Sequence, residues 1–251
     1  MLKVSIITVC YNSSETIEST IQSVVSQNYS NIEYIIVDGL SKDQTMEIIN
    51  RYQDKISKVI SEKDNGIYDA INKGIGLASG DIIAILHADD FYANENVISK
   101  IVDTFEKEQV DSVYGDLQYI DRFDVQKVKR NWISRKYNKQ NFLKGWMPPH
   151  PSFFARKKCY DSYGVFNLIL KSAADYELML RFLYKNNVSV AYIPSVLVKM
   201  RVGGKSNMSL MNRIKANRED KKAWCLNGLT PGFFTFIRKP LSKLGQFFNN
   251  K

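Results

Sequence analysis

The chain has 251 residues, of which 44% are apolar, and its formal net charge is +9 at pH 7. This length is enough for one large α/β domain, or two small ones, with a sizeable core. From Lys199 onward, twelve Lys and Arg residues stand against only Glu219 and Asp220, which leaves the preceding residues close to neutral. The basicity therefore belongs to the C-terminal part, and it gives no support to a general nucleic-acid-binding surface.

The N-terminal apolar run, 4–9, is short and is followed by polar residues without a small-residue cleavage pattern. It predicts a first strand, not a signal peptide. No apolar stretch approaches the length of a membrane-spanning helix. Three widely spaced cysteines, an odd number, are typical of reduced thiols in a cytosol. We therefore expect a cytoplasmic protein.

Strands and helices alternate through the first half of the chain. Short β-branched runs predict strands, and apolar residues three or four positions apart predict helices. The predicted strands cover 4–9, 34–38, 58–61 and 82–86, and the predicted helices begin near Ser14 and Thr45 and cover 67–78 and 94–107. This alternation predicts a doubly wound, mostly parallel α/β sheet.

The second half is less regular. Its elements are predicted as a strand at 112–120, an irregular excursion at 121–145, a proline-rich approach to a strand at 145–154, a helix at 172–184, and strands at 188–192 and 196–201. No internal repeat is visible.

The apolar run 82–86 leads directly to two adjacent carboxylates, Asp89 and Asp90. In open α/β sheets, ligands bind beyond the carboxyl ends of the strands. Two neighbouring negative charges need a positive partner, and a divalent cation shared with substrate phosphates would supply it. For the pair alone, an acidic turn that caps the next helix is the better explanation, and the neighbouring segments reverse this preference.

Several segments together resemble one family, the inverting family 2 glycosyltransferases of GT-A fold, across nearly all of residues 1–206. Segment 62–74, Glu-Lys-Asp-Asn-Gly-Ile-Tyr-Asp-Ala-Ile-Asn-Lys-Gly, closely resembles a subgroup that builds bacterial surface polysaccharides. The other similar segments are the first strand and its loop at 4–12, the acidic turn at 37–41, the metal motif at 87–90, the catalytic helix at 173–181, and 202–206.

The resemblance implies a Rossmann-like GT-A domain at 1–227, with a nucleotide-binding half at 1–110 and an acceptor half at 111–227. Asp175 is then the catalytic base, and Asp90 is the ligand of Mn²⁺ or Mg²⁺. His87 replaces the first acid of the metal motif, which leaves open which carboxylate touches the metal. The implied donor contacts are Thr8, Tyr11, Asp38, Asp69, Asn72, Lys73, Asp89, His150, Arg201 and Ser206.

Structural roles explain several of these residues equally well. An acidic residue at a helix start, such as Asp175, is favoured by the helix dipole, and Asp38 is suited to capping the following turn. Asp69, Asn72 and Lys73 also fit a solvated helix face. The roles of the two histidines are also open. His150 is suited to binding the metal, the diphosphate or the acceptor, and His87 is suited to supporting a neighbouring ligand. Glu177 is expected to be solvated.

The function implied is transfer of a hexosyl or N-acetylhexosaminyl group from a UDP-sugar to a polyprenyl-diphosphate-linked glycan. A sugar-phosphate nucleotidyltransferase shares the architecture, but the loop after the first strand, 11–14, lacks the glycine and basic residues of its phosphate loop. A non-catalytic scaffold of the same fold is kept open by His87. A nucleic-acid binder is disfavoured, since the basic tail residues alternate with an apolar stripe.

The predicted tail, 228–251, places apolar residues at helical spacing over 231–250, with basic residues between them. Such a segment is suited to the inner membrane surface, where anionic lipids would favour it. Packing on the catalytic domain, or on a second subunit in a homodimer, explains the stripe equally well. We expect a peripheral protein on the cytoplasmic face of the inner membrane.

Overall fold

The computed structural model of the chain describes residues 1–203, 210–232 and 235, and for 210–217 the backbone alone. Nine strands of this part form one mixed sheet. The strands are β1 (Val4–Cys10), β2 (Ile32–Asp38), β3 (Lys58–Ser61), β4 (Ile82–His87), β5 (Asp90–Tyr92), β6 (Ser112–Ile120), β7 (Val128–Trp132), β8 (Phe153–Arg156) and β9 (Val190–Arg201). Their order is β3-β2-β1-β4-β8-β6-β9-β5, and β7 pairs with β6.

The helices pack on both faces of this sheet. They are α1 (Ile17–Val25), α2 (Thr45–Asn50), α3 (Ile67–Leu77), α4 (Val97–Glu108), α5 (Gln140–Leu143), α6 (Lys157–Tyr163), α7 (Ala174–Met179) and α8 (Leu210–Leu226), with short 3₁₀ turns at Gln53–Lys55 and His150–Ser152 and a π-helix at Leu180–Lys185. Within the described ranges, every helix is too short or too polar to cross a bilayer.

The first half of the sheet is parallel, as predicted. β1 pairs with β2 on one side and β4 on the other, with Val4 opposite both Ile32 and Ile82. This shared register brings the carboxyl ends of three strands to one edge of the sheet. Residues that follow these strands therefore meet in one place, although they are far apart in sequence.

Both faces of the sheet are buried. Along β1, Ile6 belongs to the core cluster under α1 and α4, whereas Ile7 and Val9 belong to the cluster under α3 and α7. Strands covered on both faces read as continuous apolar runs, which is why β1, β2 and β4 are evident from the sequence.

The second half differs from the prediction of a mostly parallel sheet. β8 lies between β4 and β6 and is antiparallel to both, while β6 and β9 are parallel. The strands predicted at 188–192 and 196–201 are one strand, β9, whose pairing with β6 shifts near Gly115. The excursion at 121–145 contains β7 and α5. These pairings are long-range, so local sequence patterns do not reveal them.

Candidate active site

The turn between β4 and β5 presents Asp89 at the edge where the parallel strands end. Two distant side chains hold this turn. The Thr20 hydroxyl of α1 lies 3.0 Å from the Ala88 carbonyl and 2.7 Å from that of Asp90. The Arg201 guanidinium donates to the Asp89 carbonyl at 2.8 Å. The position of Asp89 is therefore fixed through its backbone.

The two adjacent acids occupy different environments. Asp89 is partly exposed. Asp90 is fully buried, and neither of its carboxylate oxygens has a hydrogen-bond partner of ordinary geometry among the described residues. Burial and the neighbouring Asp89 charge raise the pKa of Asp90, and nearby Arg201 offsets only part of this rise. Asp90 therefore lies beneath the surface on which Asp89 is presented.

Two histidines lie beside this turn. The rings of His87, at the end of β4, and His150 are edge to face with centroids 5.8 Å apart. Burial and the His150 charge lower the pKa of His87 to about 4, although Asp89 and Asp175 act in the opposite direction. His87 is therefore neutral near pH 7, and its buried Nδ1 has no hydrogen-bond partner in the described part of the chain.

The base candidate, Asp175, lies in the first turn of α7 and joins the same cluster. His150 Nδ1 lies 3.0 Å from Asp175 Oδ2, so this ring nitrogen donates to the carboxylate. The Tyr68 hydroxyl of α3 lies 3.3 Å from Asp175 Oδ1. His150 thus joins Asp175 to His87, which precedes Asp89 by two residues, and Asp175 is oriented by two donors.

Tyr68 is a site residue that the sequence does not single out. Its ring stacks on Phe166, with centroids 5.5 Å apart, and burial together with the Asp175 charge raises the pKa of its hydroxyl. It therefore remains protonated as a hydrogen-bond donor. The only sequence signal was its place in the segment 62–74, which carries the family resemblance.

The α3 side chains predicted to touch the donor hold nearby loops. The Asn72 amide forms two hydrogen bonds with the Phe166 backbone, at 2.8 and 2.9 Å. The Asp69 carboxylate accepts from the Asn65 backbone at 2.9 Å. Lys73 pairs with Glu62 at 2.7 Å. These contacts differ from the solvated face that was the alternative, since each polar end has a protein partner.

Asp38 ends β2 and is fully buried. Its carboxylate accepts from the Ser41 backbone at 2.9 Å, from the Ser41 hydroxyl, and from the Ser61 hydroxyl at 2.7 Å. This is the turn-capping role that was its alternative. Exposed Tyr11 lies nearer the surface, and a Cβ on Gly39 would contact both its ring and the Asp64 carboxylate. Asp64 is therefore a further candidate that the sequence did not single out.

Three other residues predicted to contact the donor are Thr8, Arg201 and Ser206. Thr8 is fully buried, and its hydroxyl accepts from the Tyr34 hydroxyl at 3.1 Å. It cannot reach a ligand without rearrangement of the core. Arg201 is also buried and acts on the site through the Asp89 backbone. Ser206, with most of the predicted tail, lies outside the described residues.

Glu177 was expected to be solvated, and this expectation is wrong. The side chain is buried, pairs with Arg181 at 2.9 Å and accepts from the Asn227 amide at 3.0 Å. The reason is that α8, which is distant in sequence, packs on α7 and covers it. In the same interface, Trp224 donates to the Tyr176 hydroxyl at 2.9 Å.

The chemistry of the Asp89 turn fits a hard divalent cation only in part. Among the described residues, no group of three or more His, Cys, Asp or Glu side chains could hold a metal ion by itself. Mg²⁺ commonly takes one or two carboxylates and completes its shell with substrate phosphates and water. Partly exposed Asp89, above the unpaired oxygens of Asp90, fits a site of this shared kind.

Comparison with known proteins identifies the same architecture. The sequence profile of Glycosyl transferase family 2 matches residues 5–163. A glycosyltransferase of Mycobacterium tuberculosis is 32% identical over 181 residues, which cover 71% of this chain and 68% of the relative. A UDP-Glc:alpha-D-GlcNAc-diphosphoundecaprenol beta-1,3-glucosyltransferase of Escherichia coli is 41% identical over 101 residues, 39% of each chain.

Solved structures share the fold at low sequence identity. Staphylococcus aureus TarS in complex with UDP-GlcNAc aligns with a TM-score of 0.72 at 18% identity, over 99% of this chain and 72% of that one. A mannosyltransferase from Pyrobaculum calidifontis in complex with GDP-Man and Mn²⁺ aligns with a TM-score of 0.66 at 18% identity, over 97% and 70%. These similarities establish the mixed α/β GT-A architecture.

Proposed function

Because this chain belongs to glycosyl transferase family 2, we propose that it transfers one hexosyl or N-acetylhexosaminyl group from a UDP-sugar to a lipid-linked saccharide. The product would be a growing cell-surface polysaccharide. The Escherichia coli relative, whose name gives UDP-Glc and a diphosphoundecaprenol-linked acceptor, supports both the nucleotide and the acceptor class. The observation that carries the proposal is the cluster of Asp175, His150 and His87 beside the turn that presents Asp89.

On the donor side we assign the metal-binding role to Asp89. The sequence placed it on Asp90, but both Asp90 oxygens are buried, whereas Asp89 is partly exposed at the strand edge. Bound Mn²⁺ or Mg²⁺ would act as a Lewis acid on the diphosphate. Asp90 then lies beneath the turn as a second, buried carboxyl group, and Arg201 fixes the turn by its hydrogen bond to the Asp89 carbonyl.

On the acceptor side Asp175 is the general base, which takes the proton of the attacking hydroxyl. A base contributes most when its position is fixed, and Tyr68 and His150 both donate to this carboxylate. A single displacement with one such base inverts the anomeric centre. Inversion therefore follows if Asp175 acts directly on the acceptor and no side chain forms a covalent bond to the sugar.

The nucleotide is assigned to the space beside Tyr11 and Asp64. Tyr11 is half exposed and offers a ring face for stacking. Gly39 has no side chain, and a Cβ there would fall 2.4 Å from an Asp64 oxygen. Asp38 shapes this turn from below through Ser41 and Ser61. Thr8 has no place among the proposed contacts, because it lies in the core.

Peripheral attachment to the cytoplasmic face of the inner membrane is part of the proposal, through 231–250. A homodimer is the alternative use of that segment. No nucleic-acid partner is proposed, since the basic residues of the tail alternate with an apolar stripe.

The test is calorimetric titration of UDP, GDP and dTDP, each with and without Mn²⁺, into the wild type, Asp89→Asn and Asp90→Asn. We expect UDP to bind in a metal-dependent manner, and Asp89→Asn to weaken this binding by about tenfold or more. If Asp90→Asn weakens metal-dependent UDP binding and Asp89→Asn does not, the metal ligand is Asp90. No binding of any nucleotide under either condition would favour the non-catalytic scaffold.

A further inference from the structure

The loop at 164–173, between α6 and α7, exposes several large apolar side chains together. Val165, Leu168 and Ile169 are 39%, 50% and 61% exposed. Single exposed apolar residues are normal on a protein surface, but a contiguous group marks an interaction site. The three lie within five residues of each other, so we call them the apolar tip of the 164–173 loop.

The backbone beneath this tip is held at its start and middle. Arg181 donates to the carbonyls of Gly164 and Val165, each at 2.8 Å. Asn72 pairs with both backbone groups of Phe166, and the Phe166 ring is buried.

Its C-terminal end is held as firmly. The Glu219 carboxylate accepts from the backbone of Lys171, Ser172 and Ala173 at 3.2, 2.7 and 3.1 Å, and Leu170 is buried. A loop fixed along its length cannot fold its exposed side chains into the core. The apolar tip is therefore displayed by an ordered support.

The inner side of the same loop reaches the proposed base. Phe166 stacks on Tyr68, and Tyr68 donates to Asp175. Asp175 itself follows the loop by two residues. The 164–173 loop thus carries the apolar tip on its outer side and contacts Tyr68, which orients the base, on its inner side. The apolar tip therefore lies on the acceptor side of the site.

Apart from Glu219 and buried Asp220, the charged residues of the loop and the described charged side chains of α8 are basic. Lys171 is exposed within the loop, and Arg218 and Lys222 are exposed on α8 next to Glu219, the residue that binds the loop. Apolar side chains with adjacent cations are suited to an anionic lipid surface. A two-fold interface between two copies would instead bring these cations together, which is unfavourable.

We propose that the apolar tip of the 164–173 loop inserts into the headgroup region of an anionic bilayer and brings Asp175 to the membrane surface. The inference rests on the proposed lipid-linked acceptor for its purpose. It is independent of the tail at 231–250 and needs no donor or acceptor for its test.

The first experiment is co-flotation of the full chain with vesicles of phosphatidylglycerol and phosphatidylethanolamine. The variant Leu168→Ser/Ile169→Ser is expected to bind at least about tenfold more weakly than the wild type, because two half-exposed apolar side chains are lost. Ile133→Ser is the matched control, since Ile133 is 51% exposed outside the loop. Flotation of the double variant at the wild-type level would overturn the proposal.

A second measurement reports insertion even where the tail also binds. Ile169→Cys and Ile133→Cys, each in a Cys225→Ser background that removes the exposed thiol, are labelled with an environment-sensitive fluorophore. Vesicles should shift the emission to the blue at position 169 and leave position 133 unchanged. Equal responses at both positions would overturn insertion by this loop.

Two further outcomes separate this inference from its alternatives. If sedimentation shows a dimer that Leu168→Ser/Ile169→Ser dissociates, the tip is a subunit interface and the membrane proposal is wrong. Nucleotide binding by calorimetry in the same double variant should equal that of the wild type. Loss of vesicle binding with retained UDP binding in the double variant supports membrane insertion by the loop. Failure of the wild type to bind UDP would contradict the proposed function and not the insertion of the loop.

Discussion

Buried carboxylates at the two ends of the parallel strands differ in their hydrogen-bond partners. At the amino end, Glu33 of β2 is 4% exposed and accepts from the Ser5 hydroxyl at 2.6 Å and from the Ser79 backbone and hydroxyl at 2.7 and 2.8 Å. Lys3 and Lys58 lie within 3.4 Å of it. At the carboxyl end, Asp90 is buried with no such partners.

Within one sheet, Glu33 therefore serves stability and Asp90 belongs to the proposed site. Burial alone would raise the pKa of Glu33, but hydrogen bonds from Ser5, Ser79 and Lys58 outweigh it and lower the pKa to about 2. Burial and a neighbouring acid raise the pKa of Asp90. A satisfied buried carboxylate stabilises the fold, whereas an unsatisfied one costs folding free energy. The unsatisfied carboxyl group of Asp90 lies where a cationic ligand would favour its charged form.

The largest expected effect is at the functional end. Asp175→Asn removes the proposed base while it keeps the shape of the side chain, so kcat should fall by about 10²- to 10⁴-fold. The measurement is sugar transfer from the donor whose nucleotide binds in calorimetry. Asp161→Asn, at an exposed acid of α6, is the control and should retain the wild-type rate. Wild-type turnover in Asp175→Asn would show that another group takes the proton.

At the opposite end, Glu33→Gln should lower the free energy of unfolding by about 2 kcal/mol, because a charged acceptor of several hydrogen bonds is lost. Denaturant unfolding at pH 7 measures this change. Glu47→Gln, in an exposed pair with Arg51, should change stability by no more than about 0.5 kcal/mol. Equal effects of the two substitutions would remove the contrast between the two ends of the sheet.

The Glu33 effect also has a defined pH dependence. Its folded pKa of about 2 lies below the ordinary value of 4.5, so its stabilisation is present above the unfolded pKa and is lost as the pH falls. The difference in unfolding free energy between wild type and Glu33→Gln should shrink as the pH falls from about 5 toward 2. A difference that stays constant over this range would contradict the assignment.

His150 should have an intermediate effect, because it orients Asp175 without taking the proton. We expect His150→Ala to lower kcat by about tenfold. His150→Asn keeps an N–H donor near the position of Nδ1, so it should recover part of that loss. If both variants lose activity to the extent of Asp175→Asn, His150 has a direct role in the chemistry.

The smallest expected effect is the change in stability when the buried Asp90 carboxyl group is replaced. Asp90→Asn replaces a buried carboxyl group, whose charged form is disfavoured by burial and by Asp89, with a neutral amide, so the free energy of unfolding at pH 8 should rise by about 1 kcal/mol. Asp54→Asn, at a highly exposed acid, should leave stability unchanged. A decrease of similar size in Asp90→Asn would mean that Arg201 stabilises the charge more than burial destabilises it.

The parallel half of the fold was accessible from the sequence. β3 was predicted at its observed bounds, and β1, β2, β4 and α3 within two residues, because each is a local pattern bounded by turn residues. Asp89 and Asp175 were recognised through motifs, and the structure brings both to one pair of histidines. Tyr68 and Asp64 were not singled out, since an isolated Tyr or Asp carries no signal until its partner from another element is known.

The chain by itself determined its family, its alternating architecture and the residue types available for chemistry, because hydrophobic periodicity and short motifs are local properties. Tertiary structure alone decided that Asp90 lies beneath Asp89, that α8 covers Glu177, and that Asn72 supports the 164–173 loop. The physical reason is that burial and hydrogen-bond partners depend on contacts between residues far apart in sequence. Two adjacent, identical side chains can therefore have opposite environments.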